Sequence, residues 1–168
     1  MIEFDKVGIF LIEGDCIEKM KELPDDSIDL VVTSPPYNVG IKYNTYNDSL
    51  PEDKYWEFTE WWVSGLQRIV KKGGRVCINI PIMGNNAEVK KKDKYLFHLP
   101  EYLNIIKKHF ELRECITWVK SWVENNANIC CVGGNTAWGS WNSPSSPYCR
   151  SVSEFIIVCH KGVPTLQH

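Results

Sequence analysis

Two consecutive prolines constrain this chain more than any other pair of residues. They stand in Thr33-Ser34-Pro35-Pro36-Tyr37, directly after an apolar run at 28–32 that reads as a buried strand. Proline fixes φ and lacks an amide donor, so the strand must end here in a stiff, extended turn. Such a turn leaves backbone carbonyls unpaired and holds the Tyr37 ring at a set angle. The carboxyl edge of a strand in an open α/β sheet is also where ligands bind. Taken alone, the stretch reads as a rigid connection with a packed tyrosine. What precedes and follows it points further.

Residues 7–12 read as a strand ending at Glu13-Gly14-Asp15, and 16–22 as a short helix with Ile17 and Met20 on one face. Pro24-Asp25-Asp26-Ser27 is a turn into the strand at 28–32. A helix separates these two strands, so a right-handed parallel crossover is expected. After a polar loop at 38–48, a helix is expected from Ser49, with Glu52 three residues on as a capping box. Tyr55, Phe58, Trp62, Leu66 and Ile69 keep helical spacing along it. Lys71-Lys72-Gly73-Gly74 ends that helix, and a third strand over 75–80 is closed by Pro81. In the loop 83–94, Lys90-Lys91-Lys92-Asp93-Lys94 reads as a solvated face. Pro100 opens a helix with Leu103, Ile106 and Phe110 turned inward. Strands at 112–119 and 154–159 follow, separated by residues 121–150, which lack periodicity and exceed an ordinary connector. The expected fold class is α/β: a Rossmann-like, mostly parallel sheet with an antiparallel C-terminal strand pair.

A chain of 168 residues is expected to be one domain. No run reaches the ~20 apolar residues of a membrane span, and the first five residues lack the regions of a signal peptide. A cytoplasmic location with no membrane partner is expected. The seven cysteines are an odd number with no Cys-x-x-Cys pair, which reads as free thiols in a reducing compartment and as no metal site. Cys16 and Cys77 read as small core hydrophobes. A net charge of −2 argues against an extended basic nucleic-acid surface, while leaving room for a small local contact.

The chemistry of the turn is specific. The Ser34 hydroxyl can accept or donate, the Pro35 carbonyl beside it accepts, and Pro36 has no amide N–H to compete for that carbonyl. Two acceptors side by side suit an NH₂ group, and Tyr37 offers a flat face. This is a site for a planar, amino-bearing heterocycle. Holding both amino hydrogens draws the nitrogen lone pair out of ring conjugation, making a better nucleophile without a covalent enzyme intermediate.

Several stretches in order then resemble a known family. They are Gly14-Asp15-Cys16, Leu23-Pro24-Asp25-Asp26-Ser27-Ile28-Asp29-Leu30, Thr33-Ser34-Pro35-Pro36-Tyr37-Asn38, Arg68-Ile69-Val70-Lys71-Lys72-Gly73-Gly74, Ile116-Thr117-Trp118, Trp138-Gly139-Ser140-Trp141, and Ser153-Glu154-Phe155-Ile156-Ile157-Val158. Across nearly its whole length the chain resembles the DNA amino-methyltransferases, which move a methyl group from S-adenosylmethionine to the exocyclic amine of cytosine or adenine. The resemblance implies a site-specific, restriction-modification type enzyme acting on double-stranded DNA. It implies that Ser34 and the Pro35 carbonyl hold the target amine, that Pro36 keeps the turn rigid, and that Tyr37 stacks on a flipped base. Asp15, Cys16 and Ser34 are the implied cofactor-side residues, with Asp15 accepting from the adenine amine of the cofactor; Asp15 fits a helix N-cap equally well. Asn38, Lys42, Tyr43, Trp138, Trp141 and Arg150 are implied on the DNA side, where an ordinary polar loop and aromatic plugs are the plainer readings. Ser at the motif's first position favours cytosine N4 over adenine N6.

The family's Phe-x-Gly-x-Gly turn, which cradles the methionine part of the cofactor, has no counterpart here. In the permuted β-class order the chain resembles the family's first half. Residues 1–168 are therefore expected to form a single partial catalytic domain, an incomplete S-adenosylmethionine-dependent methyltransferase fold with the target-recognition region absent. A second chain or a further segment would complete the cofactor site. A small-molecule or protein amide methyltransferase and a non-catalytic DNA-binding remnant or subunit are the competing readings.

Overall fold

The computed structural model describes residues 2–4, 8–81, 98–119, 121–123, 129–131 and 153–162. Along these the chain forms β1 (Ile2–Phe4), β2 (Ile9–Leu11), α1 (Cys16–Met20), β3 (Ile28–Thr33), α2 (Glu52–Ile69) and β4 (Val70–Pro81). Then come α3 (Leu99–His109), β5 (Glu111–Val119), β6 (Ser121–Val123), β7 (Ile129–Cys131) and β8 (Ser153–His160). The main sheet has the order β3-β4-β8-β5. β3 and β4 are parallel, and β8 is inserted antiparallel to both β4 and β5. The α/β class and the antiparallel pairing of the last long strands are as expected.

Four expectations are corrected. β2 does not cross over to pair with β3; it forms a separate hairpin with β1. Gly8, at φ 64°, turns the chain just before β2, so the strand finds its partner locally. The capping box at Ser49 does not form. The helix starts at Glu52 behind Pro51, whose extended backbone (ψ 146°) gives no side-chain cap, and the Ser49 amide donates instead to Asn47 Oδ1 at 3.1 Å. Lys71-Lys72-Gly73-Gly74 does not separate a helix from a later strand. β4 starts directly at Val70, and the extra residues form a bulge between the pairs Ile28–Val70 and Leu30–Arg75, with Gly73 at φ 78°. Finally, the long segment at 121–150 contains the short antiparallel pair β6–β7.

Alternation along the strands decides what is buried. Val76, Ile78 and Ile80 of β4 and Ile157 and Cys159 of β8 face the helical layer. They meet Val63, Leu66 and Ile69 of α2 and Tyr102, Ile105 and Ile106 of α3. The helix positions expected to be apolar are buried, except Ile17, Phe58 and Leu103, which are half-buried. The other face of the sheet is less covered. Leu30 and Val32 of β3 are 55% and 74% exposed, and Ile116 and Trp118 of β5 are each 48% exposed. Cys16 is exposed and does not belong to the core, and Cys77 is half-buried. No described helix is long and apolar enough to cross a membrane.

α2 also organises the chain around β3. The Arg68 guanidinium donates to the Met20 and Leu23 carbonyls and to the Asp25 carboxylate, and the Asp26 and Ser27 amides donate to the Arg68 and Ile69 carbonyls. This knits the turn ahead of β3 to the last turn of the helix.

His98 is buried where α2 meets α3, with ring centres 5.6 Å from Tyr55 and 5.2 Å from Trp56. Neither ring nitrogen has a hydrogen-bond partner among the described residues. Burial holds the imidazole below its usual pKa, against a smaller opposing effect of Glu52. The unfolded chain therefore takes up a proton near pH ~6.5 while the folded chain does so only at lower pH. Between those values the unfolded state binds more protons, so stability falls as pH drops. Denaturant midpoints at pH 7.5 and 5 are expected to decrease on acidification, and His98→Phe to reduce that decrease.

Candidate functional site

The motif turn sits at the carboxyl end of β3. The parallel strand β4 brings Asn79 to the same end, and the antiparallel β8 brings Glu154 there, opposite Pro81. Ser34 Oγ lies 2.7 Å from the Tyr37 hydroxyl. Asn79 Nδ2 donates to the Tyr37 hydroxyl at 2.7 Å and to Glu154 Oε2 at 2.7 Å. Ser34 is exposed, Pro35 is buried, and Pro36 and Tyr37 are half-buried. Burial is the main effect pushing the Tyr37 phenol up, helped by the Glu154 charge and by a hydrogen bond with the Glu154 carboxylate, while its contacts with Ser34 and Asn79 pull it down.

The two proline carbonyls differ. The Tyr55 hydroxyl, from the first turn of α2, donates to the Pro36 carbonyl at 2.9 Å and also meets the Tyr102 hydroxyl of α3. Tyr55 has one proton and gives it to Pro36, so Tyr102 is the donor of that pair. Burial pushes both phenols up. The Pro35 carbonyl accepts from none of the described residues. The turn is thus anchored through the Pro36 carbonyl and not through its neighbour.

Asn38 corrects an expectation. It is 2% exposed, at φ 57°, and faces into its own loop. Its amide donates to the Leu50 carbonyl at 3.0 Å and accepts from the Leu50 amide at 2.7 Å. Its backbone N–H donates to Asp48, which also accepts from Val39 and Ile41. Asn tolerates the left-handed backbone and closes turns with its side chain, so here it closes the loop after the motif. Lys42 and Tyr43 are exposed on that loop, Lys42 bridged to Asn47. Tyr46 packs 6.0 Å from Tyr43 and 5.6 Å from Phe58, and burial pushes its phenol up to about 12.

Asp15 caps α1. Its Oδ1 accepts from the Ile17 and Glu18 amides at 2.9 and 3.3 Å. The Cys16 thiol beside it is pushed up, first by burial and then by the Asp15 charge. No described hydrogen bond joins Asp15 to the Ser34 cluster. Trp138, Trp141 and Arg150 lie outside the described residues, as does the lysine run at 90–94. The sequence reading missed the hydroxyl role of Tyr55 and the pair Asn79 and Glu154. The available signal for Asn79 was one polar residue in the strand Cys77-Ile78-Asn79-Ile80.

An acceptor-rich turn on the carboxyl edge of a mixed sheet, with helices on one face, is the kind of place where open α/β proteins carry their ligand sites. Comparison with known proteins identifies the family. A family described as DNA methylase matches residues 28–167. The Type II methyltransferase M.MjaVI of Methanocaldococcus jannaschii is 38% identical over 154 residues, covering 92% of this chain and 71% of that protein. The chain belongs to the DNA methylase family. Two solved structures share the fold. TTHA0409 of Thermus thermophilus, complexed with S-adenosyl-L-methionine, gives a TM-score of 0.58 at 21% identity over 89% of this chain and 52% of its own. The cytosine-N4-specific PvuII DNA methyltransferase gives 0.58 at 16% identity over 88% and 47%. The chain thus spans about half the length of these two solved relatives.

The Asp48 carboxylate holds three backbone amides of the loop that follows the motif. Asp48→Ala leaves them without that partner and is expected to cost about 1–3 kcal/mol. Faster amide hydrogen exchange at Asn38, Val39 and Ile41, with that at Val76 and Ile78 changed only by the global loss, is the expected signature.

Proposed function

We propose that this chain carries the amino-group site of an S-adenosylmethionine-dependent DNA methyltransferase that acts on the exocyclic amine of a flipped base, cytosine N4 in preference to adenine N6. The observation that carries the reading is the pairing of an exposed Ser34 with a Pro35 carbonyl that accepts from none of the described residues, in a turn whose other carbonyl is anchored by Tyr55. Family membership supports DNA as the substrate, and the SAM-complexed fold neighbour supports the cofactor. Serine at position 34 supports cytosine by family resemblance.

In this reading Tyr37 stacks on the base, and Lys42, with Trp138 and Arg150 beyond the described residues, lies on the DNA side. Asp15 uses Oδ1 to cap α1, and Oδ2 is the atom that would accept from the cofactor's adenine amine. The second cofactor wall comes from a further segment or a second chain. The exposed Leu30 and Val32 on the edge strand β3 support a neighbour there.

The test uses chain isolated from its source cells, so that whatever completes the cofactor site accompanies it. With labelled S-adenosylmethionine and plasmid DNA, nucleoside analysis is expected to give N4-methylcytosine, and Ser34→Ala to lower the rate ~10²-fold or more. N6-methyladenine as sole product overturns the cytosine preference, and no methylated nucleoside overturns the reading. Titration calorimetry of the bare chain with S-adenosylmethionine is expected to show affinity weaker than micromolar; micromolar binding overturns the need for a completing segment.

A further inference from the structure

The loop after the motif is built more firmly than an ordinary connector. Asn38 ties its two ends together through Leu50, and the Asp48 carboxylate holds the amides of Asn38, Val39 and Ile41. The Gly40 amide donates to the Asp48 carbonyl at 2.8 Å. Beyond these bonds Lys42 and Asn47 pair antiparallel, so residues 43–46 form the tip of a small hairpin. The polar ties gather at the base of the loop, while Ile41 is exposed and Tyr43, on the other side of Lys42, is 50% exposed.

A single apolar residue at a surface needs no explanation, and a ring at a loop tip ordinarily turns freely. Tyr43 differs because it is braced. Its ring meets Tyr46 edge to face, with centres 6.0 Å apart and planes at 68°, and Tyr46 packs 5.6 Å from Phe58 of α2. The Tyr46 hydroxyl is buried with no partner among the described residues, so ring packing rather than a hydrogen bond seats it. Phe58, Tyr46 and Tyr43 thus form a row from the helix outward, and the outermost ring has its place set before any ligand arrives. That lowers the ordering cost of a contact made there. A rigid, flat, half-exposed ring suits insertion into a stack of flat rings. The exposed Lys42 beside it supplies a cation for the phosphates that border such a stack.

We propose that Tyr43 is a wedge that enters the DNA base stack at the place a flipped base vacates, and that the hairpin at 38–48 holds it for that purpose. This rests on the reading of the motif as an amino-group site for a flipped base. A base rotated out of the duplex leaves its neighbours unstacked, at a cost that must be offset. Inserted apolar side chains hold such a duplex open, and an aromatic ring also restores stacking. The hairpin leaves the motif directly at Asn38. The residue read as stacking on the extruded base, Tyr37, and the ring that fills the gap are therefore carried on one continuous segment. A wedge makes no base-specific contact, so it serves whatever sequence is recognised.

The test compares a paired target with an unpaired one. With the preparation from source cells, the methylated base is first located by sequencing the product. Two short duplexes are then made around it, one fully paired and one with an abasic site opposite the target base, which lowers the cost of flipping. Tyr43→Ala keeps every polar tie of the loop. It is expected to lower kcat/KM on the order of 10- to 100-fold on the paired duplex and by no more than about threefold on the other. An equal loss on both duplexes, as a lost phosphate contact would give, overturns the proposal, and so does no loss on the paired one. If wild-type chain methylates nothing, the functional reading fails and binding decides the wedge. In low-salt fluorescence polarisation, the same preparation is expected to favour a labelled duplex with one abasic site over the intact duplex on the order of tenfold, and Tyr43→Ala to lose that preference. A preference absent from the wild type, or kept by the variant, overturns the proposal.

Discussion

The bond from the Tyr55 hydroxyl to the Pro36 carbonyl is the contact on which the site depends. A pair of prolines at a strand end cannot be anchored by its own amides, because it has none. Something else must donate, and it must be rigid. Tyr55 meets both needs: it is 1% exposed, it stands in the first turn of an eighteen-residue helix, and Tyr102 of α3 supports its hydroxyl. A tyrosine is long enough to bring a donor from a helix to a strand end while its ring fills the core. The same side chain thus contributes to packing and fixes the turn.

α2 holds β3 at both ends. Tyr55 fastens the chain after the strand, and Arg68 fastens the chain before it. The helix between them is ~20 Å long, about the length of the six-residue strand. Strand and helix are therefore matched, and the motif cannot shift relative to the sheet without breaking one clasp. This matters because β3 is the edge of the described sheet and is supported by β4 alone. Its exposed Leu30 and Val32 give it little burial on the face away from the helices. The clasps replace, at the strand ends, some of the constraint that a second neighbour would supply.

Features governed by local stereochemistry were legible in the sequence. The prolines ended β3, helical spacing identified Tyr55, Trp62, Leu66 and Ile69 as buried, and the last two long strands paired antiparallel. Features governed by competition between neighbours were not. Ser49 and Glu52 have the spacing of a capping box, but Pro51 between them restricts the backbone and moves the helix start. Asn38 follows the motif, where a ligand contact is expected, yet its left-handed backbone turns it toward Leu50. Asn79 and Glu154 are far apart in sequence and meet only because β8 inserts beside β4. The insertion leaves no local trace, since a run of apolar residues does not say which strands it will join.

The turn's selectivity follows from its count of donors and acceptors. Each proline removes an N–H and keeps a C=O, so the motif is rich in acceptors and poor in backbone donors. An anion gains nothing from such a surface, in contrast to a helix N-terminus or a glycine-rich loop, where amides converge. A neutral amine gains directly. Ser34 is exposed at the turn, and the Pro35 carbonyl beside it accepts from none of the described residues. The prolines therefore make the turn a surface for donors, and β4 and β8 bring Asn79 and Glu154 to the Tyr37 hydroxyl behind it. The hydroxyl contacts of Tyr37 hold its ring, so the orientation of that ring and the hydrogen bonds behind the turn are set by one side chain.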